Sequence, residues 1–501
     1  MDIFNNIEGR PLDNNQIKAI LSKSKNNLVV AGAGSGKTTT IVGKVKYLIN
    51  NGYQADEILV LSFTNASASE MKERIYNETK EKLDVMTFHK LGFSILENKK
   101  DNLSILKENV SKIIFPVINI LISNNEYLEN LIMFIYKLKS NKRINEYKIL
   151  FLNEKYLLYI FCNYISNFIS LMKQNNHSIS DLNNIKNKDF QLFLNLYKPI
   201  YEYYKSYLKK NNLIDFNDMI NESINIIETN KIILSYKYII IDEFQDISKN
   251  RYELINRIIN QTSSSLFCVG DDFQCIFSFA GSEIDYFTNF GKYFGNYKLN
   301  IINKTYRFNK SLVDISSKFI MKNKNQIRKT IISNKKDSNN GLEIIEGNNS
   351  TEIVNKLYDI LLTLPFHSTI YFLGRYKFDL DIIKLSNKFY IDYKYNLDIV
   401  MDKRVDLIIK FMTVHQSKGL QADYTIVLNN KNGKLGFPSK IIDDKFLKIL
   451  KLAKEKFPYA EERRLFYVAI TRSKIKTYLL NITNNESIFV KEIKKVIKIT
   501  Q

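Results

Sequence analysis

The sequence predicts an α/β protein: parallel sheets flanked by helices, in two domains, the first interrupted by an α-helical insertion. Three observations predict it. Short apolar runs alternate with helix-period segments along residues 1–95 and 213–288, and again from about 290 onward, the pattern of strand–helix–strand units. Residues 28–41, LVVAGAGSGKTTTI, read as a strand, a glycine-rich turn and the start of a helix. Between 96 and 212 the strand signal disappears, and helical patterns rich in Leu, Ile, Tyr, Asn and Lys take over, with breaks expected at Pro116 and Pro199.

The composition sets limits. A chain of 501 residues has room for about three domains of ordinary size, and 45% hydrophobic residues supply ample core. Lys and Arg number 73 against 52 Asp and Glu, a net +21 that favours a polyanionic partner, most simply nucleic acid. The competing account is compositional drift: the chain is heavy in Asn, Ile, Lys, Tyr and Phe, as an AT-rich genome would produce. Cys162, Cys268 and Cys275 form no C-x-x-C pair, against both a disulfide framework and a zinc site, and four histidines make a His-based metal centre a poor fit. No leader pattern opens the chain and no segment offers 18 uninterrupted apolar residues. Residues 156–172 come closest, but Asn163, Ser166 and Asn167 break them, and they read as a buried helix. The expectation is a soluble, cytoplasmic protein with no membrane partner.

Taken in order, Gln16 opens a helix just ahead of the glycine-rich turn, and its amide has the donors and acceptor to read an adenine edge. A solvated side chain is the plainer alternative. Ala33, Gly34, Ser35, Gly36, Lys37, Thr38 and Thr39 make the turn itself. Glycines at 32, 34 and 36 let backbone N–H groups curl around a phosphate. Lys37 can reach outer phosphates, the Thr38 hydroxyl can hold magnesium, and the helix aims its positive end at the same anion. Ala31 stands where the strict pattern has Gly.

Strand 57–63 ends in Phe63-Thr64-Asn65, and strand 84–86 runs into Thr87-Phe88-His89, both corners of the kind that present ligands in α/β sheets. Phe63 there is core or a base-stacking platform; His89 touches a phosphate or caps the helix. Residues 197–210, YKPIYEYYKSYLKK, could track nucleic acid or form an amphipathic helix with a solvated basic face. The apolar run 238–241 ends in Asp242-Glu243-Phe244-Gln245-Asp246. Adjacent acids at a strand's carboxyl end, in a chain with this turn, fit the second half of an NTPase site, with Asp242 on magnesium and Glu243 on the attacking water. Strand 266–269 leads to Gly270-Asp271-Asp272-Phe273-Gln274, where Gln274 could sense the γ-phosphate and Phe279 offers a π-face. In the second domain, KTYRF (304–308), HQSKG (415–419) and EERRLFYVAITR (461–472) follow, the last a helix carrying Arg472 toward an anion or carboxylate.

These strings together, in this order, resemble the UvrD/Rep-type helicases of superfamily 1, and GLQADYTIVL, GFP and AEERRLFYVAITR resemble the DNA helicase IV branch. The resemblance covers nearly the whole chain and implies two RecA-like P-loop NTPase domains: 1A at 1–95 and 213–288, 1B at 96–212, and 2A at 289–501. It implies ATP and magnesium as cofactors, and single-stranded DNA and 3′-tailed duplex as partners. It implies 3′-to-5′ translocation or unwinding in repair, recombination or phage defence. A motor subunit of a larger complex, with a protein partner and weak unwinding alone, is the alternative. Carried across by residue, Gln16 reads adenine, Tyr306 stacks on it, Gln274 couples nucleotide to DNA, and Arg307 and Arg472 act as arginine fingers. Phe63, Thr64, Asn65, His89, Phe279, His415 and Lys418 face DNA. Thr39, Ala280 and Gln421 depart from commoner Arg, Arg and Glu. The short interval between Arg307 and His415 implies that a 2B accessory domain is absent or vestigial. An N-terminal extension and an appended nuclease are also expected to be missing.

Overall fold

The computed structural model describes residues 2–97, 103–138, 144–154, 156–335, 340–392, 398–441, 444–452 and 455–500. The first lobe uses β1 (Asn26–Ala31), β2 (Ile58–Ser62), β3 (Asp84–Thr87), β4 (Ser104–Ile105), β5 (Leu213–Ile214), β6 (Tyr238–Ile241), β7 (Ser265–Gly270) and β8 (Lys298–Ile302). Six of these form one parallel sheet in the order β3-β2-β6-β7-β1-β8, while β4 and β5 pair only with each other. β2 and β6 are buried along their whole length. They are continuous apolar runs because helices cover both faces of the sheet. Alternation along β1 divides the core: Leu28 and Val30 join one buried cluster, Val29 and Ala31 the other.

The second lobe adds β9 (Lys304–Thr305), β10 (Ile332–Ser333), β11 (Leu342–Gly347), β12 (Thr369–Gly374), β13 (Phe389–Asp392), β14 (Asp398–Met401), β15 (Ile408–Thr413), β16 (Ala422–Val427) and β17 (Ser473–Ile482). β11 to β17 build a seven-stranded sheet, β11-β17-β16-β12-β15-β14-β13, parallel except for β14 near one edge, which runs antiparallel to both β13 and β15. The helices Lys310–Ile320, Ala460–Ile470 and Ile488–Thr500 pack together on one face of it.

Two expectations are corrected. The boundary at 288/289 falls too early: Lys298–Ile302 is the sixth strand of the first sheet, with Leu28 opposite Leu299 and Val29 opposite Asn300. An apolar run declares a strand but not which sheet it joins, and here chain continuity with the first lobe decides. Pro116 and Pro199 do not break their helices; Val110–Leu121 and Lys188–Lys210 run through them. A proline removes one backbone hydrogen bond. Ile113, Ile114 and Ile118 around the first, and Phe193, Ile200 and Tyr204 around the second, are all buried in one cluster that holds both helices. The same cluster takes in Phe446 and Leu450 of the second lobe, so the insertion packs on both lobes.

Candidate nucleotide site and nucleic-acid groove

The glycine-rich turn leaves β1 and enters the helix Lys37–Asn50 at Gly36, whose φ of 78° is left-handed. Gly34 has φ 73°, and a Cβ there would lie 2.5 Å from the Cβ of Arg307. The turn is braced from three sides. Ser35 Oγ donates to Gly32 O (2.8 Å), Thr305 Oγ1 donates to Ala33 O (2.8 Å) and the Tyr306 N–H donates to Gly34 O (2.9 Å). Gln16 Nε2 donates to Ser35 O and Gly36 O at 3.3 and 3.4 Å, while its Oε1 accepts the Asp13 N–H at 2.9 Å. The amide expected to read adenine therefore lies against the turn's backbone. Tyr306 stands beside it, 38% exposed, its hydroxyl donating to Asp13 Oδ2 at 3.2 Å. Thr39 is buried, and its hydroxyl accepts from Arg10 (3.4 Å) and Arg74 (3.2 Å), with Arg74 paired to Glu8. Neither arginine was singled out in the sequence, because each reaches this spot from a distant turn of chain.

Asp242 and Glu243 follow β6 directly. Glu243 has φ 48°, a left-handed conformation that costs ~1–2 kcal/mol outside glycine. It points the carboxylate at Lys37, whose Nζ lies 2.8 Å from Oε1. Burial, and then the Glu243 charge, push the Asp242 carboxyl upward. Burial works on Glu243 in the same direction, but the Lys37 and Lys418 charges together with hydrogen bonds from Lys37 and Gln245 outweigh it and hold Glu243 below the usual range. Gln245 Nε2 donates to Glu243 Oε2, and its Oε1 accepts the Asp271 N–H at 2.9 Å. Magnesium is held by one or two protein oxygens plus substrate phosphates. The Thr38 hydroxyl at the helix start and the buried Asp242 carboxylate fit that donor set. Among the described residues no cluster of three or more His, Cys, Asp or Glu side chains could cage a metal alone.

The second lobe brings its arginines to the same place. Arg463 and Arg464 of the helix Ala460–Ile470 are neutralised by Glu492 and Glu455. Arg472 is also buried, yet among the described residues it donates to uncharged oxygens: Val468 O (3.1 Å), Leu420 O (3.4 Å), Gln274 Oε1 (3.1 Å) and Thr471 Oγ1 (3.5 Å). Arg307 likewise donates to Gln421 Oε1 (3.2 Å) and Thr471 O (3.1 Å). Burial, and then the Arg307 charge, push Arg472 down to about 9. Among the described residues neither guanidinium forms an ion pair with a carboxylate, although the Glu243 and Asp271 charges act on both from farther off. Gln274 also donates to Asp271 Oδ2 at 2.6 Å. Asp271 and Asp272 share the ammonium of Lys329, at 2.6 and 2.7 Å, with all three side chains fully buried.

The residues expected to face DNA fall into two groups. Phe63, Thr64, Asn65 and His89 line a groove of about 960 Å³ between the corners of β2 and β3 and the insertion. Thr64 caps the helix Asn65–Thr79 through the Ser67 N–H. Arg251, missed in the sequence, lies with its guanidinium 4.9 Å from the Phe63 ring centre and 5.7 Å from that of Phe88, and its Nε has no partner. Phe279 is 60% exposed and meets His415 edge-on, ring centres 5.3 Å apart. Lys418 departs from expectation: its ammonium is taken by Asp246 and by Gln274 O (2.8 Å), so it links two loops beside the acids rather than offering a free cation. Two carboxyl-end acceptors outbid solvent for a lysine that the sequence shows only as part of HQSKG.

A P-loop with its acids on one parallel sheet, faced by two arginines from the second lobe, defines a two-lobed NTPase. The UvrD/REP helicase N-terminal domain matches residues 12–295, and the UvrD-like helicase C-terminal domain matches residues 394–484. The chain belongs to this family of DNA helicases, and is an enzyme of that class. It is 28% identical to DNA helicase IV of Escherichia coli (strain K12), over 99% of this chain and 72% of that protein. It is 29% identical to the ATP-dependent DNA helicase Rep of Buchnera aphidicola subsp. Schizaphis graminum, over 70% of this chain, and spans half of that relative's length. A probable DNA helicase of Mycoplasma pneumoniae is 25% identical over 94% of this chain and 83% of its own. Among the described residues no helix is long and apolar enough to cross a membrane.

Proposed function

We propose that this chain is an ATP-driven motor that moves 3′ to 5′ along single-stranded DNA and separates duplex ahead of it, in repair, recombination or phage defence. In this reading residues 2–95 and 213–302 form domain 1A, 96–212 the insertion 1B, and the chain from 303 domain 2A. The observation that carries it is the pair Arg307 and Arg472, the first half-buried and the second buried, neither ion-paired to a carboxylate among the described residues and both facing the lobe that holds Lys37, Asp242 and Glu243. A polyphosphate is an anion that the two guanidiniums would take from one side and Lys37 from the other. Magnesium-bound ATP would supply the phosphoryl group, with Thr38 and Asp242 holding the metal.

The chain's own groups divide the remaining work. Lys37 would leave Glu243 for the outer phosphates, freeing the Glu243 carboxylate to orient and deprotonate water. Arg307 and Arg472 would stabilise the charge that develops, a role worth ~10³–10⁵ in rate in phosphoryl transfer. Because they belong to the other lobe, hydrolysis would depend on how the lobes meet. Tyr306 would stack on the base, with Gln16 setting the turn and Arg10 and Arg74 near Thr39. Phe63 and Phe279 would take stacked bases, each worth ~1–3 kcal/mol whatever the sequence.

One observation favours a second reading, a motor that moves but unwinds weakly without a protein partner. Between Arg307 and His415 the described residues form helices, β10 to β15 and a short 3-10 stretch, without a further globular unit. The test is ATP hydrolysis with and without single-stranded DNA or RNA, then displacement on 3′- and 5′-tailed duplexes. Lys37→Ala and Glu243→Gln should abolish DNA-stimulated hydrolysis; wild-type turnover in either overturns the proposal.

A further inference from the structure

The helix Ala460–Ile470 of the second lobe lies along residues 273–278 of the first and grips them at four points. Tyr467 meets Phe273 edge-on, ring centres 5.3 Å apart. Arg472, just beyond the helix, donates to Gln274 Oε1 at 3.1 Å. Arg464 donates from Nε to Cys275 O at 2.5 Å. Glu461, in the first helical turn, accepts the Ser278 N–H on Oε1 at 2.9 Å and the Ser278 hydroxyl on Oε2. Ser278 begins the 3-10 turn Ser278–Ala280, which presents the exposed ring of Phe279.

One rigid element therefore joins two different surfaces. A helix of 11 residues spans roughly 16 Å and resists stretching. Its far end holds Gln274, beside the acids and arginines; its near end holds the turn that carries the stacking aromatic. The near-end contact is charge-assisted and two-pronged, so it fixes both position and angle. Glu462 cannot take over this contact, because its carboxylate already accepts from Arg375 and from the Ser439 N–H.

We propose that Glu461 is a positioning residue that couples base stacking on Phe279 to nucleotide hydrolysis, acting through Ser278 and the helix Ala460–Ile470. This rests on the proposed motor function. Base binding would press on the turn, the Ser278–Glu461 contact would pass the displacement to the helix, and Arg472 with Gln274 would feel it at the other end. Without that contact both ends remain, but they no longer report to each other.

The test compares Glu461→Ala, Glu461→Gln, Ser278→Ala and the Ser278→Ala/Glu461→Ala double variant with the intact chain. ATP hydrolysis is measured without DNA and with saturating oligo(dT). Basal hydrolysis should stay within twofold of wild type in all four, while DNA stimulation should fall about tenfold in Glu461→Ala and the double variant should lose no more than Glu461→Ala alone. Retained stimulation in Glu461→Ala overturns the proposal. So does a parallel fall in basal and stimulated rates, the mark of a merely structural role. A wild-type chain that hydrolyses no ATP, or none in response to DNA, would instead overturn the motor function itself.

Discussion

Replacing Lys329 with methionine keeps an unbranched apolar stem but removes the ammonium that stands 3.7 Å from the Phe273 ring centre and that two fully buried carboxylates share. Removing one partner of a buried ion pair costs ~3–5 kcal/mol, because the other charge is left uncompensated. Here the carboxylates keep other donors. Asp272 retains Gln326 Nε2 at 2.6 Å and the Ile327 N–H at 2.8 Å; Asp271 retains Gln274 Nε2 at 2.6 Å and the Phe273 N–H at 3.2 Å. These bonds place the expected loss at the lower end, about 3 kcal/mol. Urea unfolding followed by far-UV circular dichroism would read it as a lower midpoint at unchanged slope. Adding Asp272→Asn to Lys329→Met should restore about 1 kcal/mol or more, since one of the two stranded charges is gone. ATP hydrolysis should fall as well, because Asp271 orients Gln274. A Lys329→Met midpoint equivalent to less than about 1 kcal/mol of destabilisation would refute the reasoning, as would a double variant no more stable than the single one.

Arg251→Ala should weaken single-stranded DNA binding about tenfold and reduce the salt slope by about 0.7, the contribution of one phosphate contact, in fluorescence-anisotropy titrations; an unchanged slope would show that Arg251 serves only the Phe63 and Phe88 rings. Gly34→Ala must place a methyl group 2.5 Å from the Arg307 Cβ and hold a φ of 73°, so it should raise the KM for ATP at least tenfold, and a wild-type KM would contradict the geometry. Burial, with Arg251 beside His89 and Arg375 and Lys418 beside His415, pushes both imidazoles down to about 4 from an ordinary 6.5. Between those values the folded chain binds fewer protons than the unfolded one, so stability rises with pH across the window and is lost as pH falls through it. NMR titration should find both rings neutral at pH 5.5; a midpoint above 6 for either would refute the assignment.

What could be read from the sequence was whatever is local. The P-loop, the acids after β6 and the helix before Arg472 each declare themselves within a dozen residues, through glycine spacing, an apolar run meeting acids, or helical period. What could not be read is pairing across distance. Lys329 lies 58 positions from Asp271, and neither has a periodic signature that names the other. Arg251 sits on the helix Lys249–Thr262 as one more basic residue until folding lays it across Phe63 and Phe88. Lys418 reads as a cation beside nucleic acid, and only the fold reveals Asp246 next to it. The strand Lys298–Ile302 was legible as a strand, but its sheet was not, since apolar alternation carries no address.

That strand has a mechanical consequence. β8 completes the first sheet at Ile302, and within four residues the chain has laid Thr305 and Tyr306 against the phosphate-binding turn and entered the second lobe. The covalent crossing from one lobe to the other is thus beside the glycine-rich turn. A fulcrum so placed makes a lever with unequal arms: a small rotation shifts groups near the turn by little and groups farther from it by more. In the proposed motor, the loss or gain of a single phosphate, a change on the scale of one bond, would in this way be magnified at the base-stacking surface.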